Sequence, residues 1–261
     1  MTARARSAEL KVAIACGYHG ATRGQVMARL ARLRALGLVL VVCTEVTRDQ
    51  APAFRTPGWR SFRVGEIVIT WATGTFKGLG GWARVLSAIV YFTGKGGRKD
   101  GYRAATAKLR HRTTRVVVRP RGEHTPASVQ HGHDWSDKGP RVNAHVEGDR
   151  RRGHTNRRNK RRHPGWVLLE LSDENLDMFV EKWRTYLEHQ LDLDCVWSQH
   201  EATRGDHGDR LISGIFAGSG TPGTVKVLDA DVLPRTDADK GFDHLVAVAR
   251  IRITAPSKEN R

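Results

Sequence analysis

The hydrophobic positions in the first part of the chain predict a strand, a helix and a second strand. Residues 10–15 predict a strand, and residues 38–43 are a continuous apolar run, which is typical of a buried strand. Between them, Thr22 and Gln25 have the spacing of a capping box, the pattern that begins a helix, and apolar residues then recur at helical spacing. Glu45 lies just past the end of the second predicted strand.

The remaining pattern predicts one more helix and a series of strands. Ser172 is a candidate helix N-cap, and an apolar stripe from Leu176 to Leu187 follows it. Strands are predicted over residues 115–118, 193–197, 211–217, 225–228 and 245–253. Residues 58–92 alternate and contain many glycines, which favours short strands and tight loops, although 82–90 also fits a helix. This interleaving favours an α/β or α+β sandwich, formed as a single domain over residues 1–261.

The charge of the chain changes the expected class of partner. A formal net charge of +17 and a pI near 10.6 favour a polyanion, with DNA or RNA ahead of a membrane surface. No apolar run reaches the roughly 18 residues of a spanning helix, and the N-terminus has no signal-peptide pattern. We therefore expect a cytoplasmic, or at least intracellular, protein. Its cysteines, Cys16, Cys43 and Cys195, lie in apolar runs and are expected to be buried free thiols.

The most biased segment runs from Gly148 to Trp166 and carries eight Lys/Arg residues with no apolar stripe. It predicts an arginine-rich loop at about 148–165 that contacts phosphates, with a merely solvated loop as the alternative. The predicted nucleic-acid-binding residues are Arg150, Arg151, Arg152, Arg157, Arg158, Lys160, Arg161 and Arg162.

Histidines offer a second candidate chemistry. His131 and His133 next to Asp134, or His200 and His207, could begin a zinc site, since imidazoles and carboxylates suit that ion. Neither pair has an established zinc spacing, and loop histidines in a basic protein are the alternative interpretation.

Titratable residues also stand at the ends of several predicted strands. Glu45 and His124 each follow a strand, and the pair Asp243-His244 precedes the last one. Open sheets commonly place their sites at such an edge. A carboxylate for a cation, a histidine that activates water and a second histidine for a phosphoryl oxygen would together make a phosphodiesterase.

The order of these motifs resembles the endonuclease/exonuclease/phosphatase superfamily, which includes the pancreatic-type deoxyribonuclease. The matching segments are KVAIACG, VVCTEV for the Glu-bearing strand, EHTPASV for T-H-x-P, RLISGIFAG for R-x-I-D-x-I-F, and FDHLVAVARI for the terminal S-D-H. The resemblance implies a deoxyribonuclease I-like four-layer sandwich of two central mixed β-sheets flanked by helices. It also implies Mg²⁺ or Mn²⁺ held by Glu45, a water activated by His244 with Asp243, and a phosphate supported by His124.

The sequence departs from the family pattern at three places. Cys16 stands near the first-strand Asn, Ser213 replaces the acid of the R-x-I-D strand, and G-D-x-N has no clean copy. Ser198 to Glu201, Gly148-Asp149 and Gly205-Asp206 are candidates for that position. Either Glu201, Asp206 or Asp209 supplies the missing metal ligands, or the chain binds nucleic acid without cutting it. We therefore predict a metal-dependent phosphodiesterase or nuclease, with a catalytically degenerate binding or scaffold protein as the alternative.

Overall fold

The computed structural model describes residues 7–78, 88–93, 99–104, 107–111, 114–124, 140–173 and 176–255. Within these ranges the chain forms fourteen strands, three α-helices and three short 3₁₀ helices. The strands are β1 (Ser7–Ala15), β2 (Leu40–Cys43), β3 (Trp59–Val64), β4 (Ile67–Ala72), β5 (Lys77–Gly78), β6 (Ala88–Thr93), β7 (Lys99–Ala104), β8 (Ala107–Arg110), β9 (Arg115–His124), β10 (Val167–Asp173), β11 (Asp194–Cys195), β12 (Ser213–Gly218), β13 (Val225–Val232) and β14 (Val246–Thr254). The helices are α1 (Arg23–Ala35), α2 (Pro140–Arg162) and α3 (Glu181–Leu191), and the 3₁₀ helices are Ala51–Phe54, Val196–Ser198 and Asp237–Asp239.

Two mixed sheets form the centre of the molecule. The first sheet has the order β13-β14-β1-β2-β4-β3. The second sheet has the order β11-β12-β10-β9-β7-β6, with β8 pairing both β9 and β5. In each sheet the only parallel pair joins strands connected through a helix: β1 with β2 through α1, and β9 with β10 through α2. The predicted sandwich of two mixed sheets with outer helices is confirmed.

Side-chain alternation along β1 shows how the layers are packed. Leu10, Val12 and Ile14 belong to the core between the sheets, which also contains Val118 and Leu169 of the second sheet. The intervening alanines of β1 point to the other face, where they join a separate cluster with the buried residues of α1. The sequence-predicted capping box of α1 is also present, since Gln25 N donates to Thr22 Oγ1 at 3.3 Å and Thr22 N to Gln25 Oε1 at 2.7 Å.

Two predicted boundaries near the third helix are wrong. Ser172 is not an N-cap but part of β10, which pairs with β9 on one side and β12 on the other, so its backbone groups are bonded across the sheet. Helix α3 begins only at Glu181. The strand predicted over 193–197 is limited to Asp194–Cys195, since the chain then turns and buries Trp197, whose Nε1 donates to Ser213 O at 2.9 Å. Of the segment 82–90, only residues 88–90 are described, and they are strand.

The arginine-rich loop predicted at about 148–165 is also wrong, because residues 140–162 form helix α2. Among the side chains described from residue 149 onward, the buried positions recur at helical spacing but are polar, namely Asp149, Arg152 and Asn156, with Gly153 beside them. A Cβ at Gly153 would lie 1.8 Å from Gln190 O, so glycine is needed for the close approach of α2 to α3. A search for apolar periodicity cannot detect this helix, since its inward face carries charges.

Glu170 of β10 is the partner that compensates those charges. It is fully buried, it pairs with the guanidinium of Arg152, and its Oε1 accepts from Asn156 Nδ2 at 2.9 Å. Arg119 of β9 lies 3.7 Å from the same carboxylate. Burial lowers the pKa of Arg119, whereas the charge of Glu170 raises it. One buried carboxylate therefore attaches α2 to the second sheet.

No helix in the described part of the chain is both long and apolar enough to cross a membrane.

Replacing Glu170 should strongly destabilise the protein. Glu170→Ala removes the carboxylate that faces Arg152 and Arg119 and leaves Arg152 with Asp149 of its own helix, at 3.0 Å, as its remaining partner. Because a buried ion pair is broken, we expect the free energy of unfolding to drop by about 3–5 kcal/mol. Urea denaturation measures the free energy of unfolding of the parent and the variant. The matched control is Glu201→Ala at an exposed glutamate, expected within about 0.5 kcal/mol of the parent. A loss for Glu170→Ala no larger than for the control would contradict this account.

Candidate functional site

Three segments of the first sheet end side by side and bring candidate residues together. Ala15 of β1 pairs with Cys43 of β2 and with Val246 of β14. Continuing this register by two residues places Gly17 between Glu45 on one side and His244 on the other. Thr44 N donates to Ala15 O at 3.1 Å, so the β1–β2 pairing continues past the last paired residues. The sequence prediction that Glu45 and His244 share one edge of a sheet agrees with this register.

Gly17 allows the Asp243-His244 pair to pack against β1. Its φ is +73°, and a Cβ there would lie 1.8 Å from Asp243 Oδ1 and 2.8 Å from His244 Cδ2. Glu45 also has a positive φ of 61°, which is uncommon for a residue other than glycine and indicates local backbone strain. Its side chain is half-buried.

The second sheet contributes Asp173, a residue that the sequence analysis missed. Asp173 ends β10, is buried, and pairs with Ser213 at the start of β12. Ser172 and Asp173 are the last two residues of β10, so the sequence S-D-E-N at 172–175, which resembles G-D-x-N, begins at the end of a strand. The apolar residues 167–169 were the available signal, but assigning Ser172 to a helix cap concealed it. Residues 174 and 175 lie outside the described part of the chain.

His124 is placed at the same end of the second sheet by its backbone. It is the last residue of β9, which runs parallel to β10, and Ser172 of β10 pairs with Arg121 of β9. The carboxyl ends of the two strands therefore meet at one edge.

Cys16 connects the two sheets at this end. Its Sγ lies 3.7 Å from Ser213 Oγ, and both residues are fully buried. Burial, followed by the negative charges of Asp173 and Asp206, raises the pKa of the Cys16 thiol well above its usual value. The pKa values of Cys43 and Cys195 are raised to about 12, mainly by burial. All three cysteines are buried free thiols, as predicted, and Cys16 stays neutral at physiological pH.

Asp206 lies behind Ser213 and organises the loop that precedes β12. Its carboxylate accepts from Ile212 N at 2.8 Å and from Ser213 N at 3.1 Å, and its backbone carbonyl accepts from Leu245 N at 2.7 Å. Burial raises the pKa of this carboxyl, while the hydrogen bonds from Ser213 and Ile212 lower it. Asp206 is therefore committed to backbone amides, and it attaches the next residue, His207, to the start of β14.

His207 is the second residue that sequence reasoning did not place in this site. Its ring centroid lies 4.5 Å from that of His244, and the rings are tilted by 36°. Ligand atoms of His207, Asp243 and His244 all lie within 4.8 Å of one another. The sequence paired His207 with His200 instead, because the contact with His244 depends on the Asp206–Leu245 bond.

A buried arginine holds two of these segments in position. Arg29 of α1 donates through Nη1 to Cys16 O at 3.3 Å and through Nη2 to His244 O, and its Nε donates to Asp239 Oδ1 at 3.1 Å. Its Cζ lies 3.9 Å from the centroid of the Phe242 ring. Arg29 thus fixes the backbone of Cys16, which precedes Gly17, and the backbone of His244, which packs against Gly17. It is a positioning residue, not a catalytic one.

The other predicted ligands lie apart from this cluster or outside the described residues. Glu201 and Asp209 are exposed, and neither belongs to a metal-ligand group in the described part of the chain. His200 is half-buried and likewise absent from such a group. His131, His133 and Asp134 lie outside the described residues.

The residues present fit a Mg²⁺ ion only in part. Mg²⁺ requires oxygen ligands, and Glu45 stands where the resemblance expects one. Among the described residues, however, the group that comes within ligating distance contains two imidazoles and one carboxylate, a set that suits transition metals better.

Comparisons with known proteins agree with this architecture. No family model and no curated protein sequence matches the chain. Among solved structures, an endonuclease/exonuclease/phosphatase family protein from Bacteroides thetaiotaomicron is similar, with a TM-score of 0.67 and 13% identity over 95% of this chain and 96% of that one. D. rerio TDP2, solved with a single-strand DNA product, has a TM-score of 0.64 and 12% identity over 94% and 99% of the two chains. The human Nocturnin catalytic domain, solved with a sulfate anion, has a TM-score of 0.59 and 12% identity over 95% and 96%.

The similarity to these solved structures and the two-sheet sandwich together define the fold of this chain. The chain has the endonuclease/exonuclease/phosphatase fold, the deoxyribonuclease I-like sandwich that the order of motifs predicted.

The buried ion pair of Arg29 and Asp239 should make the free energy of unfolding depend on pH in the acid range. Burial alone would raise the pKa of Asp239, but hydrogen bonds from Thr236 and the charges of Arg29 and Arg32 outweigh it and lower the pKa. The ionised carboxylate therefore stabilises the fold fully above the unfolded-state pKa of about 3.9, and this contribution is lost as the pH is lowered further. We expect Asp239→Asn to be strongly destabilised at pH 7, and the difference from the parent to shrink below about pH 4.

Urea midpoints of parent and variant from pH 7 to pH 3 provide the measurement. Asp237→Asn is the control in the same turn, because that carboxylate is exposed and pairs only with Lys240 at the surface. A difference between parent and Asp239→Asn that stays constant down to pH 3 would refute the assignment.

Proposed function

We propose that this protein is a phosphoesterase that hydrolyses phosphodiester bonds, with nucleic acid as its substrate. One observation supports this above all: Glu45, Asp173 and the Asp243-His244 pair come from distant parts of the chain to the same end of two facing sheets. Glu45 is the residue to which the resemblance assigns cation binding, and the Asp243-His244 pair is the one to which it assigns water activation. The net charge of +17 favours a polyanionic substrate.

In this proposal His244 accepts the proton of the attacking water. The side chain is buried, and its Nε2 lies 4.0 Å from Asp243 Oδ1. That separation exceeds a hydrogen bond, so Asp243 acts through its charge and does not fix the ring as the resemblance implies. The negative charge would stabilise the imidazolium that forms when His244 takes the proton. Arg29 holds the backbone of His244 and thereby its distance from Gly17.

Three further residues, described in turn, complete the proposal. His124, placed at the same edge by β9, would support the phosphate or the leaving group, and Glu45 would hold the cation that neutralises phosphate charge. Asp173 joins them, since it takes the position of the G-D-x-N carboxylate. Asp206 is set apart as a structural residue, because its oxygens accept backbone amides.

Removing His244 should abolish hydrolysis. We expect His244→Ala to lose about 10²-fold or more in the rate of cleavage, the usual contribution of a positioned proton acceptor. The assay follows a labelled plasmid and a single-stranded RNA with Mg²⁺, Mn²⁺ or EDTA, alongside the Glu45→Ala, His244→Ala double variant. His200→Ala serves as the control, since that histidine lies outside the cluster. Unchanged cleavage by a folded His244→Ala protein would exclude this mechanism.

A second candidate function is nucleic-acid binding without hydrolysis. It is favoured by the neutral Cys16 and Ser213, which stand where the family has an asparagine and an acid. It is also favoured by a cationic stripe on α2. The stripe consists of five of the eight predicted contacts, all exposed: Arg150, Arg151, Arg158, Arg161 and Arg162. Three other predicted contacts differ: Arg152 is buried against Glu170, Lys160 pairs with Asp192 at 3.1 Å, and Arg157 is half-buried.

The cationic stripe continues beyond the end of α2. His163 stacks on Trp166 with the ring centroids 3.7 Å apart, and Lys108 and Arg115 lie over the same indole at 5.5 and 5.2 Å. Partial burial, with the positive charges of Lys108, Arg115 and Arg162, lowers the pKa of His163. A phosphate placed here would meet several cations and a stacked aromatic pair, as in proteins that bind single strands.

Neutralising the cationic stripe should weaken binding in a salt-dependent manner. We expect Arg158→Gln, Arg161→Gln, Arg162→Gln to reduce the slope of log K against log salt by up to about 0.7 for each lost phosphate contact with a single strand. Fluorescence anisotropy with a labelled single-stranded RNA over a salt series measures this slope. The control carries the same charge change on the first sheet, Lys226→Gln, Arg250→Gln, Arg252→Gln. Equal slopes for both triple variants would contradict a specific role for α2.

A further inference from the structure

We propose that His207, Asp243 and His244 form a binding site for a borderline transition-metal dication of the Zn²⁺ type. The site differs from the Glu45-centred Mg²⁺ or Mn²⁺ site that the fold family implies. It stands on the donor atoms that the structure brings together. A neutral imidazole has a single acceptor nitrogen, so the site describes the metal-bound state of His244 and the hydrolysis proposed above describes its metal-free state.

The geometry of the three side chains supports a shared ion. Their ligand atoms lie within 4.8 Å of one another, and His244 Nε2 is 4.0 Å from Asp243 Oδ1. In a tetrahedral zinc site two ligand atoms lie about 3.4 Å apart, since each bond is about 2.0–2.2 Å long. The ligand atoms of His244 and Asp243 must therefore approach each other by roughly 0.6 Å to share an ion. His207 and Asp243 are exposed, so their side chains can rotate to close the remaining gap.

The backbone carrying the ligands is held rigidly from two directions. His207 exchanges two hydrogen bonds with Arg210, at 3.0 and 3.2 Å, and Asp206 O accepts from Leu245 N, directly after His244. On the other side, Arg29 binds the carbonyl of His244, and Gly17 leaves the space that Asp243 and His244 occupy. The distance between the backbones of His207 and His244 is thus fixed before any ion binds, and this lowers the entropic cost of binding.

The donor chemistry selects the class of ion. Imidazole suits Zn²⁺, Co²⁺ and Ni²⁺, whereas Mg²⁺ prefers oxygen and retains most of its waters. Two imidazoles and one carboxylate form a three-ligand set that leaves a fourth position for water or a phosphate oxygen. Because Asp243 and His207 face solvent while His244 is buried, that position opens outward.

Metal binding to the full chain after removal of metals with EDTA tests the site directly. Titration calorimetry with ZnCl₂, and the visible absorption of added Co²⁺, should both show one equivalent bound. We expect His207→Ala and Asp243→Asn each to weaken Zn²⁺ binding by at least about 10- to 100-fold, the loss seen even for outer-shell partners. His200→Ala, in the same loop region but outside the cluster, should bind as the parent does. Circular dichroism confirms that each variant is folded, and two separate ligand variants keep the test valid if one is not.

The outcomes separate this site from the proposed hydrolysis. Stoichiometric Zn²⁺ binding that is lost in the ligand variants supports the site even if the protein cuts nothing. Absence of stoichiometric binding overturns it, as does binding unchanged in both His207→Ala and Asp243→Asn, even if cleavage proceeds. Cleavage that requires His244 but not His207 would separate the roles, since His207→Ala removes a metal ligand and leaves the proposed proton acceptor in place.

Discussion

The arrangement of the candidate site depends on the buried guanidinium of Arg29. This group is fully buried, and its charge is compensated by Asp239, which Arg32 also contacts. Its remaining donors bind the carbonyls of Cys16 and His244, two segments more than 200 residues apart in the chain. Both carbonyls lie just beyond the paired part of their strands, where a buried acceptor would otherwise lack a ladder partner. A desolvated ion pair is a costly device, and here it fixes the spacing of the edge at which the candidate residues meet.

The interior between the two sheets shows how the site differs from the family pattern. Ser213 stands on β12 where the pattern has an acid, yet a carboxylate is still present behind it, because Asp206 reaches the backbone amides of Ile212 and Ser213 from the preceding loop. The neighbouring Cys16 is neutral, since burial and two nearby carboxylates raise its pKa. The same loop that brings Asp206 inward carries His207 outward to His244. Ser213 lacks the carboxylate of the family pattern, and in the structure the loop before it brings His207 next to His244.

Helix α2 is attached to the outer side of the second sheet through buried charged groups. Glu170 receives Arg152 and Asn156 from α2 and lies near Arg119 of its own sheet. The opposite face of α2 carries the exposed arginines. A single basic segment thus divides into an inner side that holds the helix in place and an outer side available to a polyanion.

Local patterns in the sequence determined the strands with apolar cores, helix α1 with its capping box, and the placement of Glu45, His124 and His244 at strand ends. These features depend on residues close together in the chain, where propensity, periodicity and capping act directly. Only the tertiary structure decided the rest. Asp173 lies at the edge of the second sheet because β10 pairs with a strand on each side. Helix α2 packs on that sheet because Glu170 compensates its inward charges. His207 lies beside His244 because Leu245 N donates to Asp206 O. Each of these placements depends on a partner distant in sequence, and only Asp173 also had a local signal, the apolar residues 167–169 that precede it.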